Sequence, residues 1–114
     1  MYDDFKSVCE VLETLNPEIP FKVEVAQPRR KPTQLGGTDA SVFAMKGIPT
    51  LNFTEKDIKG YNFSYEEIWH TERDIFNKEI PEYQEHTAIV TAVVALGIAN
   101  LNHQLSREGL YKED

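Results

Sequence analysis

His70 is the residue with the widest chemical reach in this chain. Neutral imidazole is the commonest protein metal ligand and a good general base. Here it follows Trp69 at the end of a long aromatic segment and precedes Thr71, a residue type that caps helices. The position equally suits a structural histidine bonded to nearby backbone, and the local residues leave both readings open. His86 and His103 stand 17 positions apart on one expected helix, which turns them roughly 100° from each other about its axis. They cannot share a ligand site. Asp39 follows Gly36, Gly37 and Thr38. The glycines let backbone approach a ligand closely and the carboxylate could position a substrate, although Thr38 or Asp39 is also a natural N-cap. Lys46 lies too far from the double glycine for a phosphate loop. No Gly-x-Ser-x-Gly elbow surrounds Ser41, which removes nucleophilic serine chemistry. The single Cys9 removes an internal disulfide framework and a cysteine-based zinc site.

The elements that must position these residues fit one domain of 114 residues. With 40% hydrophobic and 27% charged residues the chain is not wholly disordered. A net charge of −7 argues against a nucleic-acid partner, which needs basic residues to displace counterions. Arg29, Arg30 and Lys31, between Pro28 and Pro32, read as a solvated loop. The longest apolar stretch, Ala88 to Ala99, is too short for a membrane span, which takes about 18 residues, and lies too far along for a signal peptide.

Along the chain, Asp3 or Asp4 is expected to cap a first helix with Phe5, Val8, Leu12 and Leu15 on one face, stopped by Asn16-Pro17. Alternation from Phe21 to Ala26 predicts a strand with one wet face, and Ile48 to Phe53 a second, buried strand. Gln27 to Gly37 reads as a loop. A short helix is expected from Thr38 to about Lys46, terminated by Gly47 in the left-handed region. Strand, loop, helix and strand in that order imply a right-handed crossover and a parallel pair. Thr54 to Trp69 is long and aromatic, and Thr71 is expected to cap a turn with Asp74 bonding back. Pro81 opens a helix expected to reach about Leu105, apolar nearly all round. The division is a domain over residues 1–105 and a polar tail over 106–114.

The ordered set Gly36-Gly37-Thr38-Asp39-Ala40, Phe43, Gly47-Ile48-Pro49, Trp69-His70-Thr71, Asp74 and a long C-terminal helix resembles the last third of the co-catalytic zinc exopeptidases. These include bacterial aminopeptidases, plasma glutamate carboxypeptidase-like enzymes and the related glutaminyl cyclases and transferrin-receptor ectodomain. The resemblance implies an α/β fold, the C-terminal part of a three-layer α/β/α sandwich, with two strands, flanking helices and the long last helix. It implies a zinc-dependent exopeptidase acting on short peptides, with two zinc ions in the complete site. His70 matches the last zinc ligand of that family. Asp39, with Thr38 beside it, matches a rim residue that positions substrate. Many relatives have Tyr before this His; here the residue is Trp69, which resembles the cyclase-like branch, and its indole N–H can only donate.

The other ligands and the carboxylate base of that family precede the matched region and have no counterpart here. At most one zinc ligand is therefore expected in this chain, no catalytic residue, and no peptide hydrolysis by the chain alone. Two strands with a large apolar helix need covering, so a homo-oligomer or association with the missing N-terminal part is expected, through Ile48 to Phe53 or around Val90, Val93 and Val94. A glutaminyl cyclase-like acyl transferase segment, or a non-enzymatic interaction module on the same fold, are the alternatives.

Overall fold

A computed structural model describes residues 1–24, 38–62 and 64–110. Its organising element is a 19-residue helix, Pro81–Ala99, which we label α4 and which is about 28 Å long at 1.5 Å per residue. The preceding elements are α1 (Tyr2–Cys9), continued by a 3₁₀ segment Glu10–Thr14, then α2 (Asp39–Met45), a one-turn α3 (Tyr65–Ile68) and a 3₁₀ turn Phe76–Lys78.

Pro81 opens α4 because its missing N–H is one the first turn leaves unbonded anyway. Glu82 complements the positive helix end. The helix stops at Asn100 (φ −90°) rather than near Leu105. Beyond it the chain turns back on α1: His103 places Nδ1 2.8 Å from Asn102 Oδ1 and Nε2 2.8 Å from Asp4 Oδ1. Asp4 also meets the terminal amine of Met1 at 3.1 Å. Met1, not Asp3 or Asp4, is the N-cap of α1, and the two aspartates occupy its first turn.

α1 runs antiparallel to α4, since Asp4 meets His103 while Val8 meets Gly97. Their shared face is the core. Cys9, Leu12, Val90 and Val94 are buried together, with Val8, Phe21, Val23, Val93 and Ile98 packed round them. Phe5 is buried as its spacing requires, but Leu15, the last residue of the expected stripe, is exposed. Val90 and Val94, at 3% and 4% exposure, are consumed by this internal core, so they offer nothing to a partner. The exposed large apolar residues of α4 are Ile89 and Leu96, the latter 65% exposed.

The expected strands, and the α/β/α sandwich built on them, are not found among the described residues. Among the described residues there is no strand, and the chain is helical with irregular connections. Phe21 and Val23 do face inward while Lys22 and Glu24 face solvent, so the alternation marks inside and outside correctly. Alternation does not supply a neighbouring strand, however, and extended backbone without a ladder is not a sheet. Val25, Ala26 and the loop 27–37 lie outside the described residues. Ile48 to Phe53 is also irregular, and Leu51 and Phe53 are exposed rather than buried. A short apolar run fixes neither a strand nor its burial.

Gly47 ends α2 at φ +66° as expected. Thr38 is its N-cap by backbone geometry but makes no side-chain cap bond; Ser41 Oγ instead donates to the Thr38 carbonyl at 2.6 Å.

Candidate functional site

The segment Ser64–Asp74 builds the turn that carries His70. Ser64 is extended (φ −140°, ψ 122°) and precedes the single turn of α3. Trp69 N–H donates to the Tyr65 carbonyl at 2.9 Å, closing that turn. Trp69 then leaves the helix (ψ 122°), and His70 sits in the left-handed region at φ +54°. A non-glycine residue there is uncommon, although His tolerates it better than most. Thr71 fixes the exit. Its Oγ1 lies 2.8 Å from the Ile68 carbonyl and 3.1 Å from that of Glu67, and accepts from Arg73 N–H at 3.2 Å. Asp74 donates its backbone N–H to the Thr71 carbonyl at 3.2 Å. The expected link between Thr71 and Asp74 thus runs through the backbone. Glu67 and Lys78, 3.6 Å apart, tie α3 to the approach to α4.

Three rings stand in sequence on this turn. Tyr65 and Trp69 stack with centroids 5.8 Å apart and planes at 22°. Trp69 meets His70 edge to face, centroids 4.4 Å apart and planes at 81°. Tyr65 and Trp69 are 57% and 52% exposed, and His70 is exposed too. No hydrogen bond holds the imidazole among the described residues. Its nitrogens are therefore open to a ligand.

The structure brings Trp69 and His70 together. Thr38 and Asp39 are exposed at the start of α2, and no hydrogen bond, ion pair or ring contact joins them to Trp69 or His70 among the described residues. Nor does any group of three or more His, Cys, Asp or Glu side chains there converge as a metal site. A catalytic zinc takes about three protein ligands and keeps one position open. His70 has the right donor chemistry and access, but it is one donor. The described residues do not fit a zinc ion by themselves.

A second cluster escaped the sequence reading. Lys59 Nζ bridges two carboxylates, Glu18 Oε2 at 2.6 Å and Glu82 Oε1. Tyr61 OH donates to Glu82 Oε2 at 2.9 Å. Tyr83, buried at the start of α4, donates to Asp57 Oδ1 at 2.9 Å and accepts from Lys59 N–H at 3.0 Å. The bonds to Glu18 and Glu82 raise the Lys59 pKa, and those from Lys59 and Tyr61 lower that of Glu82. The Glu82 carboxylate raises the Tyr61 phenol, whereas burial is the main cause of the rise at Tyr83. With one ammonium shared by Glu18 and Glu82 and a phenol on each of Glu82 and Asp57, this cluster is a clamp holding residues 55–61 onto α4. Its partners are 21 to 41 positions apart in sequence, a range at which no periodic pattern signals contact.

A cleft of about 570 Å³ lies between Tyr61, Asn62 and the segment Asn77–Glu82, away from His70. A smaller one of about 380 Å³ reaches the His70 turn through Ile68 and Asp74. Both fall in the size range of small-ligand sites.

Against known proteins, the model of the family described as Peptidase family M28 matches residues 7–95. That span holds Thr38, Asp39, Trp69 and His70. No curated protein and no solved structure matches the chain.

Proposed function

The chain belongs to peptidase family M28, and from that premise we propose that it is the C-terminal segment of a zinc-dependent, aminopeptidase-like exopeptidase acting on short peptides. The observation that carries this reading is the exposed imidazole of His70, held at a left-handed turn within the family match. His70 contributes a single metal ligand. The remaining ligands and the carboxylate base come from residues outside these 114, because one imidazole cannot hold a catalytic zinc. Trp69 borders the substrate beside His70, and Thr38 and Asp39 contribute from the start of α2. Among the described residues no cluster of ligands or base assembles beside His70, and the chain alone is expected not to hydrolyse peptides.

The outward apolar residues of α4, Ile89 and Leu96, are covered by a second copy of the chain or by the rest of the peptidase.

Two assays test the reading. With added zinc, the 114-residue chain should turn over neither aminoacyl anilides nor dipeptides. A polypeptide that also supplies the other ligands should cleave them, and His70→Ala should abolish both that cleavage and half or more of its bound zinc. Cleavage unaffected by His70→Ala would refute the assignment. Trp69, against the His70 ring at 4.4 Å, favours a second reading, acyl transfer of the glutaminyl cyclase kind. Pyroglutamate formation without peptide cleavage would select it.

A further inference from the structure

We infer that Tyr65 is a positioning residue of the candidate site: its ring, stacked on Trp69, holds the indole against His70 and so sets the direction in which the imidazole points. The inference rests on the proposed role of His70 for its functional meaning, but its geometry stands apart from it.

A metal-binding histidine is ordinarily oriented by a hydrogen bond from its second ring nitrogen to a carboxylate or carbonyl. Among the described residues His70 has no such partner. What touches its ring is the indole of Trp69, edge to face at 4.4 Å. The indole is half-exposed and is itself stacked on Tyr65, at 5.8 Å with near-parallel planes. Offset stacking and edge-to-face contact are the two favoured arrangements of aromatic pairs, and here they occur in series.

The backbone makes the series possible. Tyr65 and Trp69 are four residues apart across the single turn of α3, the spacing that places side chains one above the other. The positive φ of His70 then swings the next side chain back towards the indole. The sequence singled out Trp69 and His70 but gave Tyr65 no role beyond aromatic content.

The test needs neither metal nor turnover. The chain has three histidines and one tryptophan, so the ring-proton resonances of His70 can be assigned by the loss of one set in His70→Ala. In the wild-type chain those resonances should be displaced by the indole ring current. Tyr65→Ala should remove the displacement and the near-ultraviolet circular dichroism of the single tryptophan. The resonances of His86 and His103 and the far-ultraviolet helix signal should stay unchanged, which shows that the fold survives. Tyr65→Phe keeps the ring and should keep the displacement. An undisplaced His70 in the wild type, a displacement that survives Tyr65→Ala, or one lost in Tyr65→Phe would each overturn the inference. The peptidase reading can fail in its own assays while these shifts behave as stated, so the two failures are separable.

Discussion

Gly97 is the point where α1 and α4 come closest, and Gly97→Ala tests that packing directly. A Cβ built on Gly97 would stand 2.2 Å from Val8 Cγ1 and 3.1 Å from both Val8 Cβ and Cγ2. Turning the valine cannot clear all three contacts. Its Cβ does not move with χ1, and a β-branched residue in a helix has one strongly preferred rotamer. The helices must therefore part, at the roughly 1–3 kcal/mol typical of overpacking a filled interface. Working the other way, alanine in a helix interior is about 1 kcal/mol better than glycine. The balance is a loss of up to about 2 kcal/mol, which for a domain of this size lowers Tm by as much as roughly 10 °C. The assay is thermal and urea unfolding followed by far-ultraviolet circular dichroism. In a Val8→Ala background the 2.2 Å contact is gone and only the 3.1 Å contact to Cβ is left, so the same substitution should cost little or stabilise by up to about 1 kcal/mol. A gain of stability in the Val8 background would mean that α1 does not seat on α4 here, and the antiparallel pair would have to be abandoned.

Cys9 is buried and its thiol pKa is raised by that burial, so a thiol reagent should label it slowly in buffer and rapidly in denaturant; equal rates would contradict the core. Asp4 and Glu82 have lowered carboxyl pKa values, chiefly through His103 and Lys59 respectively. A carboxyl pKa that is lower folded than unfolded stabilises above its unfolded value of about 4 and loses that stabilisation as pH falls through the folded value. Asp4→Asn and Glu82→Gln should therefore lower the urea midpoint at pH 6, by an amount that shrinks as the pH is taken progressively below about 4; a pH-independent difference would assign their effects to packing. Leu96→Glu, on the outward face of α4, should leave the far-ultraviolet spectrum intact and reduce the mass seen by light scattering if copies of the chain cover that face; an unchanged oligomer would place the contact elsewhere.

What the sequence made legible was local. Phe5 and Leu12 on one helical face, the Pro81 start of α4, the Gly47 terminator and the inward phase of Phe21 and Val23 all follow from neighbours within a few positions. The strands failed because strand identity is a pairing property. Ile48 to Phe53 carries apolar residues in a row, but nothing local says whether another strand lies beside it. The overlong α4 failed for the complementary reason. Asn100 to Leu105 has no proline or glycine to stop a helix, and what turns it is a contact with Asp4, 99 positions away from His103. At the site, Trp69-His70-Thr71 stood out as a motif. The role of Tyr65 needs the ring geometry of α3, which one-dimensional spacing only permits.

These contacts divide the chain into a part held by burial and a part held by polar bonds. α1, the 3₁₀ segment after it, Phe21, Val23 and α4 share one apolar core. α2 and α3 bury no residue of their own. The aromatic segment reaches α4 through Tyr83, Lys59 and Thr87, whose hydroxyl donates to Glu55 at 3.1 Å, and α3 meets the 3₁₀ turn before α4 through the Glu67–Lys78 pair. Local opening costs least where few apolar contacts must break. The turn bearing His70 can consequently open without unfolding the α1–α4 core, and its native geometry must be supplied from close at hand. Thr71 supplies the backbone part of it, and the stack of Tyr65 on Trp69 supplies the rest. A substitution in the core, such as Gly97→Ala, should then lower global stability and leave the His70 resonances in the native state where they were.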